Sequence, residues 1–226
     1  MKNPCILIPS YNESRTIGEI VRKLRQRNFA VFVADDGSVD GTADKAAAEG
    51  AEIIKNHRNL GKGSALRAGF RLVSNDARFD SVVIMDGDDQ HDVGDIAHLI
   101  RKCHETGADI VVGNRMADTG SMPMVRVLTN RFMSYLLSKI SGQRIPDTQC
   151  GFRLIKISAL KKINLVSSNF DIDSEILLKA AKAGCRIESV PVKTVYKDER
   201  SRINPFVDTL RFIRLLLRAG YGSRRG

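Results

Sequence analysis

The sequence predicts an α/β protein in which a mostly parallel sheet is flanked by helices, and two observations support this prediction. Short apolar runs typical of buried strands alternate with segments of helical periodicity along the first half of the chain. Strands that alternate with helices at such short intervals are joined by right-handed crossovers, which makes their sheet mostly parallel. Polar clusters follow these apolar runs, and ligands bind such sheets at the carboxyl ends of the strands.

The predicted elements follow one another in chain order. Strands are expected at 4–9, 30–34, 51–55, 82–85 and 109–113. Helices are expected around 17–24, from near Asp44, around 66–73 and around 96–103. The second half is expected to contain a helix over 125–140, a strand over 150–155, a helix within 170–183 and an extended segment over 186–195. A last helix over 205–218 carries a narrow arginine stripe beside a broad apolar face, which suits a lipid interface or packing on the sheet or a second subunit.

Length and charge limit the organisation of the chain and its partners. With 226 residues, 42% of them hydrophobic, we expect one globular domain over 1–226. The net charge is +10, and the last thirty residues hold eight basic and three acidic residues. Such a basic tail can meet nucleic acid, anionic lipid or a phosphorylated substrate, and charge alone does not choose among them.

Cysteines and histidines form no metal-ligand spacing. We expect the four cysteines to be free thiols in a reducing cytosol, with Cys5 buried, and the histidines, including His91, to be ordinary surface or helix residues. No signal peptide precedes the first strand, and no apolar run approaches the roughly 18 residues that cross a bilayer. The sequence therefore predicts a cytoplasmic protein that does not span a membrane.

An acidic turn, Asp86-Gly-Asp-Asp-Gln90, follows the fourth predicted strand. Asp86 and Asp88 lie one residue apart on a turn loosened by glycine, so both can point oxygens at one hard divalent cation. Gln90 adds a neutral oxygen beside them. Such a metal site is suited to holding a diphosphate, whereas the alternative for a bare Asp-x-Asp is a solvated acidic turn.

Other predicted loops supply groups for a nucleoside diphosphate. The residues that can stack on a base, accept hydrogen bonds from base or ribose, or reach phosphate are Tyr11, Glu13, Asp35, Asp36, Lys62 and Arg115. The segment 61–64 is not a Walker loop, because Asn56 stands where that loop needs glycine and Gly63 where it needs Ser or Thr. The three spaced glycines of a dinucleotide site are also missing after the first strand.

Five motifs in register resemble those of a known family. They are Pro9-Ser-Tyr-Asn-Glu13, Asp35-Asp-Gly-Ser-x-Asp-Gly-Thr42, Asn59-x-Gly-Lys-Gly-x-Ala65, Asp86-Gly-Asp-Asp-Gln-His91 and Gly113-x-Arg115. In this order and spacing they resemble an inverting family 2 glycosyltransferase with the GT-A fold. Within that family, Asp147-Thr-Gln-Cys-Gly-Phe-Arg153 and the basic pair around Ser201 are similar to the polyprenyl-phosphate branch, typified by the dolichyl-phosphate mannosyltransferases.

The resemblance implies a metal-dependent transfer of a hexose from a nucleotide diphosphate sugar, such as GDP-mannose or a UDP-sugar, to a polyprenyl or dolichyl phosphate. It also implies a nucleotide-sugar-binding half at 1–115, an acceptor-side half at 116–204 and a basic amphipathic tail at 205–226. Contact with the cytoplasmic membrane face would be peripheral, through 125–140 and 205–218.

The resemblance also implies roles for single residues. The nucleotide pocket would contain Pro9, Tyr11, Glu13, Asp35 and Asp36, and Asp86 would face ribose or sugar. Asp88 and Gln90 would hold Mg2+ or Mn2+, and Arg115 would lie near the donor phosphates. The expected cations around the acceptor phosphate are Arg131, Arg200 and Arg202, and Asp173 with Glu175 matches an acidic pair. The candidate catalytic residues are Asp86, Asp88, Arg115, Asp147 and Asp173.

The sequence leaves the acceptor open. A phosphate monoester arrives ionised and needs no general base, whereas a sugar hydroxyl needs a carboxylate such as Asp147 or Asp173 within hydrogen-bond reach. One departure bears on this choice, because the chain has Glu199-Arg-Ser-Arg202 where the polyprenyl-phosphate branch usually shows Gly-x-Ser-Lys.

Two rival functions are weaker. A sugar-1-phosphate nucleotidyltransferase uses a related sheet, but its glycine-rich N-terminal loop is missing, since residues 10–13 are Ser-Tyr-Asn-Glu. A nucleic-acid-binding module would use the basic tail, but the acids at the strand ends would repel a phosphate backbone unless a metal intervened. We therefore expect no nucleic acid partner.

Overall fold

The computed structural model of the chain describes residues 4–120 and 122–193. Within them the strands are β1 (Cys5–Ser10), β2 (Val31–Asp35), β3 (Glu52–Lys55), β4 (Ser81–Ile84), β5 (Ile110–Asn114), β6 (Arg153–Lys156) and β7 (Ile187–Pro191). The α-helices are α1 (Ile17–Gln26), α2 (Thr42–Ala48), α3 (Lys62–Val73), α4 (Ile96–Thr106), α5 (Met124–Ser141), α6 (Ile157–Leu160) and α7 (Ile172–Lys182). The last predicted helix, 205–218, lies outside the described residues.

The strands form one sheet in the order β3-β2-β1-β4-β6-β5-β7. β6 runs antiparallel to its neighbours β4 and β5, and the other pairs are parallel. The predicted mostly parallel sheet with flanking helices is therefore confirmed. The sequence did not indicate the direction of β6 or the short helix α6.

The strand order reverses beside β1, because β2 and β3 extend one side of the sheet and β4 begins the other. In an open α/β sheet, this reversal leaves a crevice at the carboxyl ends of the strands where ligands bind. The loops that follow β1 and β4 lie at this position. The topology alone therefore places the two motifs that the sequence singled out next to each other.

Both faces of the central strands are covered, which explains their unbroken apolar runs. Every residue of β2 and of β4 is buried, and helix α1 turns its apolar stripe of Ile17, Ile20, Val21 and Leu24 inward. The four cysteines are free, and Cys5 is buried, as expected; Cys103, Cys150 and Cys185 are buried as well. Among the described residues, no helix combines the length and the apolar character needed to cross a bilayer.

Helix α5 buries a mixed polar and apolar side and exposes most of its large apolar side chains. Its buried side includes Asn130 and Ser134 together with Val127, Met133 and Leu137. Helical periodicity predicts an apolar face made of Val125, Leu128, Phe132, Tyr135, Leu136 and Ile140. All of these except Leu136 are exposed, and so is Met124. Phe132 is 54% exposed and Tyr135 62% exposed, so this surface has no cover among the described residues.

Candidate active site

The carboxyl ends of the parallel strands bring the predicted donor-side residues to one edge of the sheet. In chain order they are Pro9 at the end of β1, Tyr11 and Glu13 after it, Asp35 and Asp36 at the end of β2, Asp86, Asp88 and Gln90 after β4, and Arg115 after β5. We call this edge the rim. Residues that lie far apart in sequence meet there because β1, β2, β4 and β5 all run in the same direction.

The loops after β1 and β2 are held together by hydrogen bonds. The backbone N–H of Asn12 donates to Ser38 Oγ over 2.9 Å, and that of Glu13 donates to Thr42 Oγ1 over 2.8 Å. In the reverse direction, the N–H of Val39 donates to Asn12 Oδ1 over 3.1 Å. Three bonds between two short loops fix the backbone from which Tyr11 and Glu13 project.

Asp36 holds a neighbouring loop. Its carboxylate accepts hydrogen bonds from Asn56 Nδ2 at 2.8 Å, from the Leu60 N–H at 3.0 Å and from the Gly61 N–H at 2.7 Å. The residue is buried, so these donors replace water as partners of the charge. Asp36 therefore fixes the segment that leads into α3, and its oxygens are already occupied.

Asp35 is more available to a ligand than Asp36. Its Oδ1 accepts the Ser38 N–H at 3.1 Å, while its buried Oδ2 has no hydrogen-bond partner among the described residues. A buried oxygen without a partner is costly unless something binds to it. Of the two adjacent acids, Asp35 is therefore the one suited to accept a hydrogen bond from base or ribose.

Lys62, at the start of α3, lies between two carboxylates. Its Nζ is 2.8 Å from Asp86 Oδ1 and 3.1 Å from Asp173 Oδ2. Burial lowers the pKa of Lys62, but the charges of Asp173 and Asp86 outweigh burial and raise that pKa above its usual value. Burial alone would raise the pKa of Asp86. Lys62 and His91 outweigh burial and hold the pKa of that carboxyl well below its usual range. Both groups are therefore ionised at neutral pH.

Asp88 has the properties of a metal ligand. Its Oδ1 accepts the Gln90 N–H at 3.1 Å, and within 4–120 and 122–193 no cation forms an ion pair with it. Burial, followed by the nearby charge of Asp86, raises the pKa of Asp88. A divalent cation would relieve this repulsion.

The residues present fit a metal that is shared with a substrate. Across the described ranges, no group of three or more His, Cys, Asp or Glu side chains is arranged to hold an ion. Mg2+ is commonly bound by one or two carboxylates, with the remaining positions taken by substrate phosphates and water. Asp88 and the amide oxygen of Gln90 match such a partial set of oxygen ligands.

Arg115 is oriented by Asp147. Its Nε lies 2.8 Å from Asp147 Oδ2 and its Nη2 3.0 Å from Oδ1, and its backbone N–H donates to the same carboxylate at 3.1 Å. Asp147 is fully buried. This bidentate geometry fixes the plane of the guanidinium and leaves Asp147 with both oxygens engaged.

The segment that carries Asp147 is held by the polar face of α5. Ser134 Oγ accepts the Thr148 N–H at 3.0 Å, and Ser138 Oγ accepts the Ile145 N–H at 2.9 Å. These bonds give buried backbone groups their partners and explain why α5 turns serines inward. The position of Arg115 therefore depends on α5 through Asp147.

The other residues predicted on the acceptor side differ from one another in burial and in their contacts. Asp173 lies in the first turn of α7 and contacts Lys62, as described above. Glu175 is fully buried and accepts the N–H groups of Val166 and Ser167, so it fixes the loop before α7. Arg131 is exposed on α5, whereas Arg200 and Arg202 lie outside the described residues.

Two residues of the site were not recognised from the sequence. His91 was expected at the surface, and this was wrong: it is 6% exposed, stacks on Phe152 with ring centroids 5.0 Å apart and places Nε2 3.3 Å from Asp86 Oδ2. Arg153 is fully buried on β6, with Nη2 3.2 Å from Asp173 Oδ1. An arginine inside a predicted buried strand was the signal that could have revealed it, since an unpaired charge is not tolerated there.

The fold is shared with known sugar-transferring enzymes. The glucosyl-3-phosphoglycerate synthase of Mycobacterium tuberculosis, solved with Mn2+, UDP-glucose and phosphoglyceric acid, superposes with a TM-score of 0.73 at 17% identity, covering 96% of this chain and 79% of that chain. At this identity the likeness concerns the fold, which is GT-A.

Comparison with related sequences identifies the enzyme family. The chain is 29% identical over 216 residues to the UDP-N-acetylglucosamine–dolichyl-phosphate N-acetylglucosaminyltransferase of Methanococcus voltae, with 85% of this chain and 86% of the relative covered. It is 30% identical over 205 residues to the undecaprenyl-phosphate mannosyltransferase of Micrococcus luteus, with 85% and 83% covered. The family model of glycosyl transferase family 2 matches residues 5–164. The chain belongs to this family and is therefore a glycosyltransferase.

The hydrogen bonds of Asp36 lead to a prediction about stability. Asp36→Ala leaves two backbone N–H groups and the Asn56 amide without their acceptor, so we expect the free energy of unfolding to fall by about 2–4 kcal/mol in urea titrations. Glu105→Ala, which removes an exposed acid of α4, is the control and should change stability by less than about 0.5 kcal/mol. A loss for Asp36→Ala as small as that of the control would show that these bonds do not hold the loop.

Proposed function

We propose that the protein transfers a hexose from a nucleoside diphosphate sugar, such as GDP-mannose or a UDP-sugar, to a polyprenyl phosphate, with a divalent metal. The observation that carries this proposal is the distribution of charge at the rim. Buried acids such as Asp36 and Asp147 already have N–H or cationic partners, whereas Asp88 forms no ion pair among the described residues. A carboxylate without an ion pair, at the same rim as an oriented Arg115, suits a diphosphate with its metal.

Each part of the donor has a candidate contact. The loops after β1 and β2 would form the nucleotide pocket, with Pro9, Tyr11, Glu13, Asp35 and Asp36 as its proposed residues. Asp88 and Gln90 would hold Mg2+ or Mn2+, which neutralises charge on the leaving nucleoside diphosphate. Arg115 would donate to the same phosphates in a geometry fixed by Asp147.

The proposed reaction is a single displacement. An oxygen of the acceptor phosphate forms a bond to the anomeric carbon while the bond from that carbon to the diphosphate oxygen breaks. The bonding electron pair leaves with the nucleoside diphosphate, and attack from the opposite side inverts the configuration. The chain's contribution is to align the two substrates and to stabilise charge on the leaving group. Asp86 would face the ribose or the sugar.

The structure favours a phosphate acceptor over a sugar hydroxyl. A hydroxyl needs a carboxylate that can take its proton. Of the two candidates, Asp147 accepts hydrogen bonds from Arg115 through both oxygens. Asp173 is ion-paired with Lys62 and Arg153, and only its Oδ1 lacks a hydrogen bond among the described residues. A phosphate monoester needs no base, and Arg131, Arg200 and Arg202 are the proposed cations around it. The names of the two relatives, which include dolichyl and undecaprenyl phosphate, support the same choice.

A lipid acceptor requires contact with a membrane surface, and the exposed side of α5 suits one. It combines apolar side chains, including Leu128 and Phe132, with the cations Arg131 and Lys139, and α5 contains no acidic residue. Apolar residues flanked by cations bind an anionic lipid interface. We propose that α5 lies in the headgroup region of the cytoplasmic face, with the basic segment 205–226 as a second contact.

Transfer should require both the lipid phosphate and the metal. With a GDP- or UDP-sugar, we expect release of nucleoside diphosphate only when polyprenyl phosphate and Mn2+ or Mg2+ are present. Asp88→Ala should lower the rate at least about 100-fold, because the metal loses a charged ligand. Asp44→Ala, on the exposed side of α2, should leave the rate unchanged. Undiminished release in Asp88→Ala or with a chelator would contradict the proposal, and transfer to free sugars instead of lipid phosphate would favour the hydroxyl acceptor.

Membrane contact can be measured separately by vesicle co-sedimentation. The double variant Leu128→Glu/Phe132→Glu should weaken binding to phosphatidylglycerol vesicles about tenfold or more, because two apolar side chains no longer enter the interface. Leu72→Glu, on an exposed apolar position of α3, is the matched control and should bind as the wild type does. Equal binding of all three proteins would exclude α5 as the contact. A dimer in solution that the double variant abolishes would assign the same surface to a second copy of the chain.

A further inference from the structure

Lys62 occupies a position where a lysine is costly. It is the first residue of α3, where the helix dipole disfavours a cation, and its side chain is only 12% exposed. Asp86 and Asp173 compensate for this cost from two directions. Asp86 follows β4 on the donor side, and Asp173 begins α7 on the acceptor side. Lys62 therefore links the two halves of the molecule.

The space around the ammonium group is closely packed. A Cβ atom on Gly151 would lie 2.5 Å from Asp86 Oδ2 and 2.8 Å from Lys62 Nζ, so a side chain there would displace the pair. On the opposite side, a Cβ on Gly63 would lie 2.5 Å from the Ser167 carbonyl oxygen. The Ser64 N–H donates to the Ser168 carbonyl at 3.2 Å, so a protein carbonyl covers the amino end of α3. These contacts leave Lys62 little freedom to swing elsewhere.

The second oxygen of each carboxylate faces a nitrogen of a neighbouring side chain, although Asp173 Oδ1 accepts no hydrogen bond among the described residues. Asp86 Oδ2 lies 3.3 Å from His91 Nε2, and Asp173 Oδ1 lies 3.2 Å from Arg153 Nη2. Arg153 is itself fixed, because its Nη1 donates to the Asp173 carbonyl at 2.7 Å and its Nε to the Cys150 carbonyl at 3.1 Å. Charges of opposite sign therefore alternate from β6 through α7 and α3 to the loop after β4.

We propose that Lys62 is a positioning residue that locks Asp86 to Asp173, and that it does not bind the donor phosphates. The inference rests on the proposed function. In this arrangement Lys62 sets the distance between the donor-side loop after β4 and the acceptor-side helix α7. A misplacement of about 1 Å between reacting groups can cost 100-fold in rate, so the link affects turnover without contacting the leaving group.

A double-mutant cycle with Lys62→Met and Asp173→Asn tests this role. We expect Lys62→Met to lower kcat about 10- to 100-fold, while the affinity for GDP or UDP without metal changes by less than about twofold. The double variant should be no slower than the slower single variant, because both changes break the same link. Lys23→Met, an exposed lysine of α1, should leave both quantities unchanged.

The opposite pattern would overturn the inference. If Lys62 binds phosphate, Lys62→Met will weaken nucleoside diphosphate binding at least tenfold, and the effects of the two substitutions will multiply in the double variant. If Lys62→Met fails to fold, Asp173→Asn alone tests the proposal. The proposal requires that Asp173→Asn lowers kcat without changing the affinity for the nucleotide. Hydrolysis of the nucleotide sugar without an acceptor gives the same cycle a second readout. If lipid phosphate proves not to be the acceptor, the hydrolysis rates and nucleotide affinities still test Lys62.

Discussion

The rim of this protein is organised by the cost of placing several carboxylates close together in a partly buried site. Charges removed from water need partners, and the chain supplies most of them from its own residues. Asp36 takes backbone and amide N–H groups, Asp147 takes Arg115, and Asp173 takes Lys62 and Arg153. The result is a site whose geometry is set before any substrate arrives. Asp88 differs from these acids, since no cation of the described ranges pairs with it.

Helix α5 connects this site to the outside of the molecule. Its inward side satisfies the backbone of 145–148 through Ser134 and Ser138, and that segment carries the carboxylate that orients Arg115. The inward side of α5 therefore mixes these serines with apolar residues, and large apolar side chains such as Phe132 remain on the outward side. A surface that looks unfavourable for a helix considered alone is thus a consequence of holding the segment 145–148. Under the proposed function, one helix both supports the arginine and meets the lipid.

The sequence predicted the elements of the fold well and their interactions only in part. Apolar runs that end in acids identify strand tips locally, so the positions of Asp35 and Asp86 followed from the pattern. The pairing of Lys62 with Asp173 spans 111 residues, and no local pattern reveals such a partner. The prediction that Lys62 can reach phosphate was therefore made without knowledge of this partner. Likewise, helical periodicity defines an apolar face on α5 but not the direction in which it points, which depends on the loop packed against it.

We propose that internal charge pairs preorganise the rim and leave Asp88 for the metal. Anomalous diffraction from crystals grown with Mn2+ and either GDP or UDP tests it most directly. We expect a manganese peak at bonding distance, about 2.0–2.3 Å, from an Asp88 carboxylate oxygen, with Lys62 still paired to Asp86 and Asp173. A peak bonded to other side chains, or a Lys62 ammonium group that has moved onto the diphosphate, would contradict it.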